Sequence, residues 1–146
     1  MNRKKITLIT ILLLMGMIFM PSQVLAQGNV RPQAGYWTIY LSDETFASCV
    51  GTQTYALNTA DLYGQMTFTI LLERANPGLQ VNRAATLNHT GANDYIGTLV
   101  AEGSDTVQML ISVEGSRNLS GRLIITYLDG DRWCSTTTPF SGEAQT

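Results

Sequence analysis

Nucleophilic, metal and redox chemistry draw on a small set of side chains, and this sequence holds few of them. It has two cysteines, Cys49 and Cys134, and one histidine, His89. A structural zinc site uses four nitrogen or sulfur ligands and a catalytic one three. No two of these three residues stand at ligand spacing, and there is no C-x-x-C redox pair. A catalytic thiol at Cys134 would need a base, and His89 is the one histidine that could meet it. A disulfide between Cys49 and Cys134, 85 positions apart, needs no third residue. The histidine context, Leu87-Asn88-His89-Thr90-Gly91, has no nucleophile elbow near it and reads as part of a solvated polar loop, His89 to Asp94. Asp129 and Asp131 are the closest acidic pair. Paired carboxylates can run glycoside chemistry or help hold calcium, which takes six or more oxygens. Their place around Gly130 is also what a tight hairpin turn requires. The expectation is a protein that is not an enzyme, with no metal and no cofactor.

The compartment decides between thiol and disulfide. Arg3, Lys4 and Lys5 precede Ile6 to Met20, 15 residues without a charge. Val24 and Ala26 then stand at −3 and −1 of a cut before Gln27. That is the order of a secretory signal peptide, residues 1–26, and the apolar core is shorter than the ~20 residues a spanning helix needs. The expected localisation is secreted or periplasmic, where a cysteine pair oxidises. Residues 27–146 carry six arginines, no lysine and eleven carboxylates, a net charge of −5. An acidic domain without a basic cluster is poorly suited to nucleic acid or to an anionic membrane surface.

Three segments alternate apolar and polar positions with the period of a strand: Met66 to Leu72, Val107 to Val113 and Leu119 to Tyr127. Turn residues punctuate them at Asn76-Pro77-Gly78, Glu102 to Asp105, Glu114 to Asn118 and Asp129-Gly130. Strands are expected at 35–41, 47–57, 65–73, 79–87, 95–101, 106–114, 119–128 and 132–138. Asn58 to Tyr63 is the one stretch with room for a helical turn. Residues 27–33 and 141–146 are expected to fray. About eight strands on short connections form an antiparallel meander in a single all-β domain, 27–146. Such a meander closes into an up-and-down barrel, with a β-sandwich as the alternative fold. In a sandwich of the immunoglobulin type a tryptophan packs on the bridge. Here Trp133 adjoins Cys134 and so faces the other side of its strand. The disulfide would fasten the closing seam of the barrel or reach across one end of it.

Gly35-Tyr36-Trp37 at the start of the first strand resembles the opening motif of the lipocalins and related calycin-like small barrels. Asn93-Asp94-Tyr95 is similar to their Thr-Asp-Tyr motif, with Asn in place of Thr. The resemblance implies a tryptophan at the closed end of a barrel, under an arginine for which Arg132 is the counterpart, and a ligand in the barrel mouth. Four expected strands follow Asn93-Asp94-Tyr95, more than lipocalins have, and no C-terminal helix is readable.

The binding expectation follows from the architecture. An eight-stranded barrel fills itself with side chains or holds one small ligand. The inward rows would include Phe68, Met109, Ile111, Leu123, Ile125 and Tyr127, and of these Phe68, Met109, Leu123 and Tyr127 are the candidate ligand contacts. Gly97 and Gly121 on facing rows would leave room or mark bends. The ligand would be small and partly apolar, oriented by tyrosine or arginine at the mouth. The alternative is an extracellular protein-interaction module with a packed interior. It would bind another extracytoplasmic protein through the outward residues Leu71, Leu110 and Ile124.

Overall fold

The computed structural model describes residues 30–146, and the expected leader, 1–26, lies outside the described residues. The elements run β1 (Gly35–Leu41), β2 (Glu44–Cys49), β3 (Tyr55–Asn58), α1 (Thr59–Tyr63), β4 (Thr67–Arg74), β5 (Leu79–Val81), β6 (Ala85–Gly91), β7 (Asp94–Glu102), β8 (Asp105–Val113), β9 (Asn118–Asp129) and β10 (Arg132–Ala144). The order β1-β4-β5-β6-β7-β8-β9-β10 is antiparallel throughout, and β10 pairs back onto β1. Eight strands therefore close a barrel, and β2 and β3 stand outside it as a flap on β10. Closure gives each of these eight strands a partner on both sides over part of its length, which limits the open edge another chain could pair with.

Two of the expected strands differ from those observed. The segment 47–57 is not a barrel strand: β2 and β3 are a hairpin outside the barrel, with 50–54 forming its turn. The segment 79–87 is two strands, β5 and β6. Between them Asn82 and Arg83 have φ of 52° and 56°, and Ala84 N–H bonds back to Val81 O at 3.0 Å. This left-handed pair reverses the chain and supplies the eighth barrel strand. Asparagine tolerates that conformation better than most residues, but arginine does not signal it.

β1 and β2 form one interrupted strand along the same edge of β10. Leu41 faces Phe140 and Phe46 faces Thr137, so the register shifts by two residues across Ser42 and Asp43. Pro139 lies opposite this break. Its carbonyl accepts from Ser42 N–H at 2.8 Å. The amide proton that proline lacks would face the same edge, where the ladder is interrupted, so β10 passes through a proline without losing a regular rung. The strand consequently runs to Ala144, not to 138. The expected fraying of 141–146 is corrected by the register Trp37 to Ala144 and by Gln145 N–H bonding Tyr36 O at 2.8 Å.

The inward rows make the core. Trp37 and Ile39 of β1, Leu72 of β4, Leu87 of β6, Met109 and Ile111 of β8, and Leu119 of β9 are all buried to within 1%. Alternation by two along each strand places these residues on one sheet face. The helix α1 begins where Asn58 caps it: its Oδ1 accepts from Ala60 N–H at 2.9 Å and Asp61 N–H at 3.3 Å. Gly64, in the left-handed conformation, ends it. Tyr63 of this helix packs against the core, and α1 lies in the connection to β4 at the upper end, the end that carries the β7–β8 and β9–β10 hairpins. The lower end carries the β4–β5, β6–β7 and β8–β9 turns. Across it runs a strap, residues 30–34. Val30 N–H bonds Asn93 Oδ1 at 2.9 Å, Gln33 N–H bonds Ser116 O at 2.7 Å, and Trp37 Nε1–H bonds Gln33 O at 2.9 Å. Pro32 is buried. The expected fraying of residues 30–33 is thus corrected, and Gln27 to Asn29 lie outside the described residues.

Candidate functional site

The four candidate ligand contacts all lie on inward rows. Met109 faces Leu123 across the β8–β9 ladder, Phe68 faces Ile39, and Tyr127 faces Cys134. None of the four lines either of the two concavities described below. Met109 has 0% exposure and belongs to the core, and Phe68 and Leu123 pack against that core. Tyr127 is half-buried higher on the β9 row. Room left by the two inward glycines is filled. A Cβ on Gly97 would meet the Thr86 carbonyl and the Leu87 side chain, and one on Gly121 would meet the Leu110 carbonyl and the Phe140 ring. Around Met109, Ile111 and Leu119 the rows are packed by their own side chains, one of the two outcomes open to a barrel of this size, while Leu123, Ile125 and Tyr127 above them are half-buried.

At the lower end the inward rows change character. On β4 the row Phe68, Ile70, Leu72 ends at Arg74, which faces Leu79. On β6 the row Ala85, Leu87 ends at His89, which faces Tyr95 of β7. These residues, the strap residues Arg31 and Pro32, and the β4–β5 turn Ala75 to Gly78 line an open concavity of about 430 Å³. The volume is within the range of small-molecule sites. Its walls mix apolar surface from Pro32, Pro77, Leu79 and Tyr95 with two guanidinium groups. No carboxylate is among the described lining residues.

Each side chain here is positioned by a local feature. The β4–β5 turn closes through Ala75 N–H to Gly78 O at 3.1 Å. Gly78 has φ of 97°, and a Cβ there would strike the Leu87 carbonyl, so the turn packs on β6 only with glycine. His89 is in a strand and not in the loop expected for it, because β6 continues to Gly91 and the turn is confined to Ala92 and Asn93. Its Nε2 lies 2.7 Å from Ala92 O. A carbonyl only accepts, so Nε2 carries the proton and the ring is held by it. The His89 and Tyr95 ring centroids are 5.1 Å apart. Asp94 faces outward, where its Oδ1 accepts from Ser112 Oγ–H at 2.6 Å.

The upper end is built differently. Cys49 and Cys134 form the disulfide, as directly opposed residues of β2 and β10. The bridge fastens the flap to β10 beyond the β1–β10 seam. Below it, Thr45 Oγ1 lies 3.0 Å from Thr59 Oγ1 and 2.9 Å from Thr138 Oγ1, and Tyr63 Oη reaches Thr138 Oγ1 at 3.3 Å. This chain of hydroxyls joins β2, α1 and β10. Thr136, between Cys134 and Thr138 on the row, is buried with its hydroxyl unpartnered. On the outer face, Val50, Trp133 and Leu128 sit side by side at 71%, 48% and 43% exposure. Trp133 faces Leu128 across the ladder, and Val50 N–H bonds Trp133 O. Asp129 and Asp131 are exposed at the β9–β10 turn, where an Asp129 carboxylate oxygen is 3.9 Å from Arg132. A second groove of about 390 Å³ runs over the outer faces of β7, β8 and β9 beside Ile96, Leu110 and Arg122.

The lower mouth was readable in part. Continuing the period-two rows one step past Leu72 and Leu87 reaches Arg74 and His89. The strap residue Arg31 carries no such signal, because its place depends on long-range bonds to Asn93 and Ser116. No family model matches the chain, and no curated protein matches it.

Proposed function

We propose that this chain is an extracytoplasmic binding barrel that takes a small, partly apolar molecule at its lower mouth. The observation that carries the reading is the concavity of about 430 Å³ at the ends of the β4, β6 and β7 inward rows. The packed rows around Met109 move the proposed ligand from the centre of the barrel to this end. The disulfide accords with an oxidising compartment, and no helix among the described residues is long and apolar enough to cross a membrane. Binding would proceed by burial against Pro32, Pro77, Leu79 and Tyr95, with arginine setting the orientation. The lipocalin resemblance supports the barrel reading through Trp37, which is fully buried at the strapped end. Arg132, the counterpart suggested for the covering arginine, lies at the opposite end, in the β9–β10 turn. A saturable rise in unfolding temperature across a fragment library tests the proposal. The absence of any saturable binder would refute it.

A second reading, an extracytoplasmic protein-interaction module, draws on the exposed row Val50, Trp133 and Leu128. Leu71, Leu110 and Ile124, the outward residues expected to serve it, are half-buried. Retention of a binding partner after Trp133→Ser would count against this reading.

A further inference from the structure

The charge arrangement at the lower mouth is specific enough to name a ligand class. We infer that the mouth binds a small organic acid, one oxyanion group on a ring-sized apolar body. The inference rests on the binding proposed above for the same concavity.

Residues 27–146 carry six arginines against eleven carboxylates, so an arginine in this chain has acidic partners in excess. Arg83 pairs with Glu73 at 3.1 Å and Arg132 approaches Asp129 at 3.9 Å. Arg117 donates to the Ala144 carbonyl at 3.1 Å. Arg31, Arg74 and Arg122 make no ion pair with any described residue. Arg122 is the lone arginine of the outer groove, whereas Arg31 and Arg74 line the same concavity. Two unpaired guanidinium groups repel each other weakly, and an anion between them removes that repulsion.

Their anchoring adds to the argument. Arg74 is the last inward residue of β4, two positions after Leu72 and opposite buried Leu79, so it emerges from an apolar wall. Arg31 belongs to the strap, which is bonded at Val30 and at Gln33 on either side of it. A guanidinium is a planar fork of donors that matches a carboxylate or a phosphoryl group in a bidentate manner. His89 gives its Nε2–H to Ala92 O, which fixes the ring. Its ring and that of Tyr95 offer a wall to the apolar body. The volume exceeds what an inorganic anion needs.

The test uses matched pairs of aromatic and alicyclic carboxylic acids and their neutral primary amides, with inorganic phosphate as a separate arm. Binding to the oxidised protein is followed by NMR titration. The expected result is saturable binding of acids, at least about tenfold weaker binding of the paired amides, and a loss of about tenfold for Arg74→Gln and for Arg31→Gln. Arg122→Gln, in the outer groove, should leave acid affinity unchanged. Amides binding as tightly as acids would overturn the inference and leave the proposed function standing. Phosphate binding alone, without any organic acid, would also overturn it. If neither acids nor amides bind, the inference and the proposed binding at this mouth fail together. If acids bind but both arginine variants retain full affinity, the assignment of the guanidinium groups is wrong.

Discussion

Replacing Cys49 and Cys134 together by alanine should lower stability by about 4–5 kcal/mol. The bridge closes an interval of 85 residues, and the chain-entropy relation gives about 4.6 kcal/mol at 25 °C for a loop of that length. The effect acts on the unfolded chain, because in the native state the β2–β10 ladder from Phe46–Thr137 to Cys49–Cys134 holds the same two strands together. The folded structure should therefore persist in the variant. A domain of roughly 120 residues gains about 0.25 kcal/mol/K of unfolding entropy, so the midpoint should fall by about 18 °C. Alanine is the appropriate replacement, since Cys134 is 2% exposed and serine would bury a hydroxyl there. Calorimetry and urea titration of the oxidised wild type and the double variant provide the comparison. The urea m value should rise, because the unfolded variant is less compact. A fall of less than about 5 °C with an unchanged m value would refute the argument. It would mean that the bridge restrains only the flap and not the unfolded chain.

Other perturbations follow from the packing. Gly121→Val should cost about 3 kcal/mol or more, read by chemical denaturation, because its Cβ meets both the Leu110 carbonyl and the Phe140 ring. Adding Phe140→Leu should restore only part of the loss, since the Leu110 carbonyl stays in place. Thr45→Val removes the hydroxyl that joins Thr59 and Thr138 and should cost about 1–3 kcal/mol in the same assay. Asn93→Ala removes the side-chain oxygen that accepts from Val30 N–H. Hydrogen exchange at Val30 should accelerate while the core amides of β8 and β9 keep their protection.

The sequence carried the barrel in its alternation. β1 occupies the expected 35–41, and the inward rows of β8 and β9 are those read from Val107 to Val113 and Leu119 to Tyr127, because each buries one face and the period of two allows one assignment. The helix after Asn58 was legible because its cap is local chemistry. What escaped depends on residues distant in sequence. The expected strand 132–138 stops one residue before Pro139, and the interruption of the facing strand at Ser42 and Asp43 shows how β10 continues through that proline. The reversal at Asn82-Arg83 contains neither glycine nor proline, so the pattern through 79–87 read as one strand. The strap is held by Asn93 and Ser116, more than sixty residues away. The candidate site was legible to the same degree. The inward rows pointed to Met109 and Leu123, but whether such rows enclose a cavity depends on Phe140 and Leu87 filling the places of Gly121 and Gly97. Arg74 and His89 lie on the continuation of rows already read, and Arg31 does not.

The most direct test of the binding account is a ¹⁵N–¹H NMR titration of the oxidised protein with the tightest fragment from the library. The account predicts saturable shifts confined to Arg31, Arg74, Ala75, Gly78, His89 and Tyr95, with Leu123, Tyr127 and Trp133 unchanged. Shifts centred on Leu123 and Tyr127 would place the ligand inside the upper barrel and contradict the account. Shifts centred on Val50 and Trp133 would contradict it in favour of the outer face.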